Sequence, residues 1–122
     1  MAVQLNHTIV AVSDKRAAAD FMAEILGLDP PTAAGPFLQV ETANGVSLDF
    51  DDRHGSVPAH YAFLVSEEDF DAIFARVTER GLPYWADPGH QIAMTINHNG
   101  RGFYFEDPAG NNLEVLTRPY GS

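Results

Sequence analysis

The chain has 122 residues and is 45% hydrophobic, enough for the core of one ordinary domain and too apolar for a disordered chain. A formal charge of −10 excludes a nucleic-acid surface, which needs clustered cations, and favours a cationic ligand or a divalent metal. With no cysteine there are no disulfides, thiolate nucleophiles or structural zinc fingers, which fits a cytoplasmic protein; no apolar run approaches the ~20 residues of a membrane span, and "MAVQLNHTIV" does not read as a signal peptide.

The first apolar run, "LNHTIVAV", has strand length, and its alternation places Leu5, His7, Ile9 and Ala11 on one face. Ser13 stands where a helix N-cap is wanted, Ala17, Phe21 and Ile25 recur at helical spacing, and Gly27 sits where a left-handed C-cap belongs. "FLQVET" and "VSLDF" follow as strands joined by the turn "ANG", and "DDRHGSVPA" is a polar linker. "HYAFLV" opens a second series, with His60, Ala62 and Leu64 on one face. Ser66 caps the next helix with Asp69 three residues on; Phe70, Ile73, Phe74 and Val77 form its apolar stripe, and Gly81 ends it. "GLPYWADPGHQ" reads as an irregular loop, and "QIAMTIN", "GFYFED" and "NNLEVLT" as strands, the last two joined by "DPAG".

The two series are copies of one pattern. His7 falls on His60, Ser13 on Ser66 and Phe21 on Phe74; "ANGVSLDF" falls on "PAGNNLEV", so that Gly45 matches Gly110, Leu48 matches Leu113 and Asp49 matches Glu114. The expected architecture is β-α-β-β-β twice, an α+β domain of about eight strands and two long helices. It spans residues 1–122 as a single domain, with module 1 at about 4–51, a linker at 52–58 and module 2 at about 59–118.

The repeat also isolates the chemistry. An ionised carboxylate such as Glu114, set between Leu113, Val115 and Leu116, is costly to bury unless it is paired or holds a metal. If the copies pack about a pseudo-twofold axis, His7 and His60 meet across it with Asp49 and Glu114 close by. Two imidazoles and a carboxylate with open positions suit Fe2+, Zn2+, Ni2+ or Mn2+. His54 and His90 fall in loops beside Gly or Pro and read as solvent-exposed. No phosphate loop, dinucleotide glycine fingerprint or serine elbow is present.

The duplicated pattern, the strand histidines in "LNHTIV" and "AHYAFLV", and the ending "GRGFYFEDPAGNNLEVLTRP" resemble the vicinal oxygen chelate superfamily of glyoxalase I, bleomycin resistance proteins, fosfomycin resistance enzymes and extradiol dioxygenases. The resemblance covers almost the whole chain. It implies two modules closing a cup-shaped, open eight-stranded mixed sheet around a metal held by His7, His60 and Glu114. Asp49 matches the place of a fourth ligand, a glutamate in glyoxalase I. Being one methylene shorter, it is read as a group acting through water or as a proton acceptor. The order His98, Phe103, Tyr104, Asp107, Pro108, Gly110, Glu114 is similar to the extradiol dioxygenase signature, with a shorter gap between His98 and Tyr104.

The resemblance implies a metal-dependent enzyme that chelates a small substrate through adjacent oxygens, as a dioxygenase or as a lyase or isomerase. Asp49, His98 and Tyr104 are its candidate acid–base groups, Arg101 its candidate anion site, and Phe50, Trp85 and Phe103 its candidate substrate contacts. The alternative is a non-catalytic binding protein of the bleomycin type, holding a cationic or aromatic ligand against Phe37, Phe50, Trp85 and Phe103. A homodimer is expected in either case, with no nucleic-acid or membrane partner.

Overall fold

The computed structural model of the chain describes residues 2–87, 89 and 100–119. The chain divides into two compact units, Met1–Pro58 and Ala59–Ser122. Among the described residues no helix is long and apolar enough to cross a membrane.

The first unit runs β1 (His7–Ala11), α1 (Lys15–Leu26), β2 (Thr32–Ala34), β3 (Phe37–Glu41) and β4 (Ser47–Asp51). Its sheet has the order β1-β4-β3-β2, with β4 parallel to β1 and antiparallel to β3. The N-cap of α1 is Asp14 rather than Ser13: the Asp14 carboxylate accepts the Ala17 N–H at 3.1 Å, while the Ser13 hydroxyl donates to Ser56 Oγ. Aspartate and serine cap about equally well, so the cap falls to the residue adjoining the first helical turn. Gly27, at φ 71°, closes the helix in the left-handed conformation. The buried face is Ala18, Ala19, Met22, Ala23 and Ile25. The expected stripe is therefore rotated, leaving Ala17 exposed and Phe21 half-buried. Four small or flexible side chains let the helix lie against β3 and β4, where Val40, Leu48 and Phe50 are buried.

The second unit runs β5 (His60–Leu64), α2 (Glu67–Glu79), β6 (Gly102–Glu106) and β7 (Asn112–Leu116), in the sheet order β5-β7-β6. Ser66 is the N-cap as expected, accepting the Asp69 N–H at 3.1 Å, and Glu67, Glu68 and Asp69 place negative charge at the positive end of the helix. Phe70, Ile73 and Val77 are buried. The loop "GLPYWADPGHQ" is less irregular than its sequence suggests, because Trp85 pairs with Tyr104 through two backbone hydrogen bonds of 2.9 and 2.7 Å. The expected strand "QIAMTIN", together with His90 and His98, lies outside the described residues.

The architecture is α+β, with seven strands among the described residues. The repeat holds at the level of pairing. His7 lies opposite Ser47 in β1–β4, and His60 lies opposite Asn112 in β5–β7; the carboxylates Asp49 and Glu114 come two residues later on the paired strand. Among the described residues the carboxylate strand of each unit is interior to its sheet and the histidine strand is at an edge.

Candidate metal centre

Glu114 sits on the interior strand β7 with Ala62 opposite it on β5 and Tyr104 opposite it on β6. Directly opposed residues share a face, so these three side chains, with His60 two residues before Ala62, form one surface of the sheet. Glu114 is fully buried, and His60 Nε2 lies 3.0 Å from Glu114 Oε1. The His60 side chain is 46% exposed, so the pair is closed on the carboxylate side and reachable on the imidazole side. The Tyr104 ring lies 5.8 Å from the His60 ring at an interplanar angle of 52°. Trp85, paired with Tyr104, belongs to the same face.

The matching place in the first unit has settled differently. Asp49 is buried, and its Oδ1 accepts from Ser47 Oγ at 2.6 Å and from Gln39 Nε2 at 3.1 Å. His7 is exposed and shares a 2.7 Å hydrogen bond between Nδ1 and Asn6 Oδ1. Gln39 lies opposite Asp49 as Tyr104 lies opposite Glu114. The shorter carboxylate is therefore satisfied by its own sheet neighbours, while the longer one reaches a histidine. At the end of β4, Asp51 is held by Arg53 through a forked pair of bonds, 2.9 and 3.1 Å, and by the Arg53 N–H at 3.1 Å. The guanidinium bonds, then the backbone N–H, draw the Asp51 pKa down from 3.8 to about 2 against the opposing effect of burial.

An imidazole nitrogen beside a buried carboxylate oxygen is a donor set that fits a divalent transition metal. His60 and Glu114 would hold such an ion from the second unit. Among the described residues no group of three or more His, Asp or Glu side chains converges as a metal cage.

Three expected substrate contacts are corrected. Phe103 is fully buried on the opposite face of β6 from Tyr104, edge-on to Phe70 at 5.4 Å and to Phe74 at 5.3 Å, and it belongs to the core beneath α2. Phe50, next to Asp49, is likewise fully buried on the opposite face of β4. Arg101 shares the parity of Phe103: its Nε bonds Glu67 at 2.8 Å, another nitrogen meets Asp71 at 2.8 Å, and its guanidinium lies 4.2 Å above the Phe70 ring. The Asp71 and Glu67 carboxylates raise its pKa and fix it on α2, where it serves as a latch. Strand parity was the available signal, since residues adjacent to Tyr104 and Asp49 must point away from them. Asp107, in the turn "DPAG", and the adjoining Asn111 are both buried, as the Asx-turn pattern of "DPAGN" allows.

The sequence profile of the Glyoxalase/Bleomycin resistance protein/Dioxygenase superfamily matches residues 4–115. The chain is similar to the glutathione transferase FosA of Serratia marcescens, with 33% identity over 94% of this chain and 81% of that protein. Two solved structures are closer. Oxidase ChaP-H2 has 63% identity and a TM-score of 0.93, covering 100% of this chain and 98% of its own. Oxidase ChaP-H1 has 54% identity and a TM-score of 0.95, covering 99% and 100%.

Proposed function

Because the chain belongs to the Glyoxalase/Bleomycin resistance protein/Dioxygenase superfamily, we propose that it is a divalent-metal-dependent oxidase acting on a small molecule with two adjacent oxygens. The observation that carries this reading is the contact between a fully buried Glu114 and a half-exposed His60. Such a carboxylate gains little from being an ion unless a cation shares it. The oxidase class is favoured over a thiol transferase by 54% and 63% identity to two oxidases against 33% to FosA. It is favoured also by Arg101, which is tied to Glu67 and Asp71 and so is a poor holder of an anionic substrate.

In this reading His60 and Glu114 bind the ion from the second unit, and His7 keeps the ligand role that the resemblance implies. A metal bound there would supply a Lewis acid for the paired substrate oxygens, with dioxygen as the oxidant. Tyr104 stands on the same face, where its phenol can hold or pass a proton at a substrate oxygen. Trp85 offers that face an apolar wall. Asp49, held by Ser47 and Gln39, is the proton acceptor of the first unit; an acid–base role for His98 rests on the resemblance alone.

The homodimer belongs to this reading too. Leu5 is 67% exposed and Ile9 53% exposed beside His7, an apolar stretch at an edge strand that a second chain would cover.

The test is metal analysis of purified protein, followed by oxygen uptake with catechols and α-oxoaldehydes after adding Fe2+, Mn2+, Zn2+ or Ni2+. Metal near one equivalent, abolished by His60→Ala in a folded protein, supports the reading. Less than about a tenth of an equivalent, with no gain on adding any of the four ions, sinks it and leaves the binding-protein alternative.

A further inference from the structure

We propose that Asn111, held in place by Asp107, is a positioning residue that sets His60 against Glu114. The inference rests on reading that pair as the metal centre. Asp107 Oδ1 accepts the N–H groups of Ala109 at 3.0 Å and Asn111 at 2.8 Å, and Asp107 Oδ2 accepts from Asn111 Nδ2 at 2.8 Å. The other end of the same amide, Asn111 Oδ1, accepts the N–H of Ala59 at 2.8 Å. The Asn112 N–H returns to the Ala59 carbonyl at 2.8 Å and closes the link. Asn111 is fully buried and Asp107 nearly so.

The placement gives this link its meaning. Ala59 immediately precedes His60, and Asn111 stands three residues before Glu114. The amide therefore clips the start of β5 to the start of β7, where the register of His60 with Asn112 is decided. Among the described residues β5 lies at the edge of its sheet and pairs with β7. A slip of one residue would turn His60 to the helix face, because side chains alternate strictly along a strand.

The first unit provides the contrast. The repeat puts Val46 where the second unit has Asn111, and no amide can clip that strand. There His7 turns to Asn6 and not to Asp49.

The test exchanges the two side chains. Asn111→Asp sets two carboxylates face to face, and Asp107→Asn sets two amides face to face. The double exchange restores one donor and one acceptor at the contact and keeps the acceptor for Ala59. Two readouts are taken on each folded variant: Zn2+ affinity by chelator competition, and the His60 imidazole nitrogen shifts in metal-free protein.

Each single variant is expected to weaken Zn2+ binding about 10–100-fold, the usual effect of losing an outer partner, and to move the His60 shifts. The double exchange should return both towards wild type. Unchanged affinity and shifts in the single variants, or a folded double exchange that restores neither, overturns the proposal. Should wild type take no Zn2+, the metal reading falls by itself. The His60 shifts then still decide the positioning role: moved in the single variants and restored in the double supports it, unmoved overturns it. If a single variant does not fold, Asn111→Ser is compared with the double exchange. Loss of the His60 signature in the former alone supports the role, and equal signatures overturn it.

Discussion

His60 and Glu114 are 54 residues apart in the chain and 3.0 Å apart in space, the imidazole half-exposed and the carboxylate wholly buried. Glu114→Gln keeps the shape and a hydrogen-bonding oxygen but removes the charge. Metal affinity should fall by more than about 100-fold, beyond the loss expected for an outer partner. Metal-free stability should stay within about 1 kcal/mol of wild type, because no buried ion is left behind. Chelator competition and urea unfolding measure the two; a variant that binds metal as well as wild type removes Glu114 from the ligand set.

Tyr104 and Phe103 are neighbours on β6 with opposite duties. Phe103→Ala removes a fully buried ring and should cost about 3–5 kcal/mol in unfolding free energy. Tyr104→Phe should fold normally and lower kcat by about 10²–10⁴ if its phenol moves a proton. Steady-state kinetics and thermal unfolding of the pair check this, and the reverse pattern would exchange their roles.

At the start of α1 the capping residue is open to direct test. Asp14→Ala should cost about 1 kcal/mol, the usual loss for an N-cap, whereas Ser13→Ala should cost a few tenths. Denaturant midpoints of the two variants distinguish them, and equal losses would put the helix start elsewhere.

Asp51 supplies a pH dependence with a definite sign. Its pKa is lowered from 3.8 to about 2, so the unfolded chain takes up a proton first as pH falls. The stabilisation from Arg53 is complete above the unfolded value of 3.8 and is lost as pH falls through about 2. Arg53→Leu should bring the Asp51 titration back towards an ordinary carboxylate and flatten that part of the acid limb. Carboxyl NMR titration follows the group directly; an unmoved Asp51 would mean that Arg53 does not hold it.

The repeat was legible because its markers are strong. A strand histidine, a capped helix, a turn glycine and a strand carboxylate occur in the same order twice, and Ser66 and Gly27 take up the roles their chemistry suggests. The rest turned on register and on near-equal choices. Asp14 displaced Ser13 because both cap well. The strand β2 is three residues of Thr and Ala with no apolar alternation to announce it. Phe50, Phe103 and Arg101 resemble site residues by type, whereas the alternation of the strands carries them to the helix side. The His60–Glu114 contact needs the parallel pairing of β5 with β7, which no local pattern encodes.

That pairing has a kinetic side. Each unit joins its first strand to its last, so neither sheet can close until the final strand has been synthesised and its long loop has found its ends. Loop closure of this kind carries an entropic cost before any contact rewards it, and it slows folding relative to locally wired helical proteins. On the ribosome Glu114 emerges after the whole of α2. The capped helix α2 can form well before it, and the centre is completed late, on a scaffold whose helix is already in place.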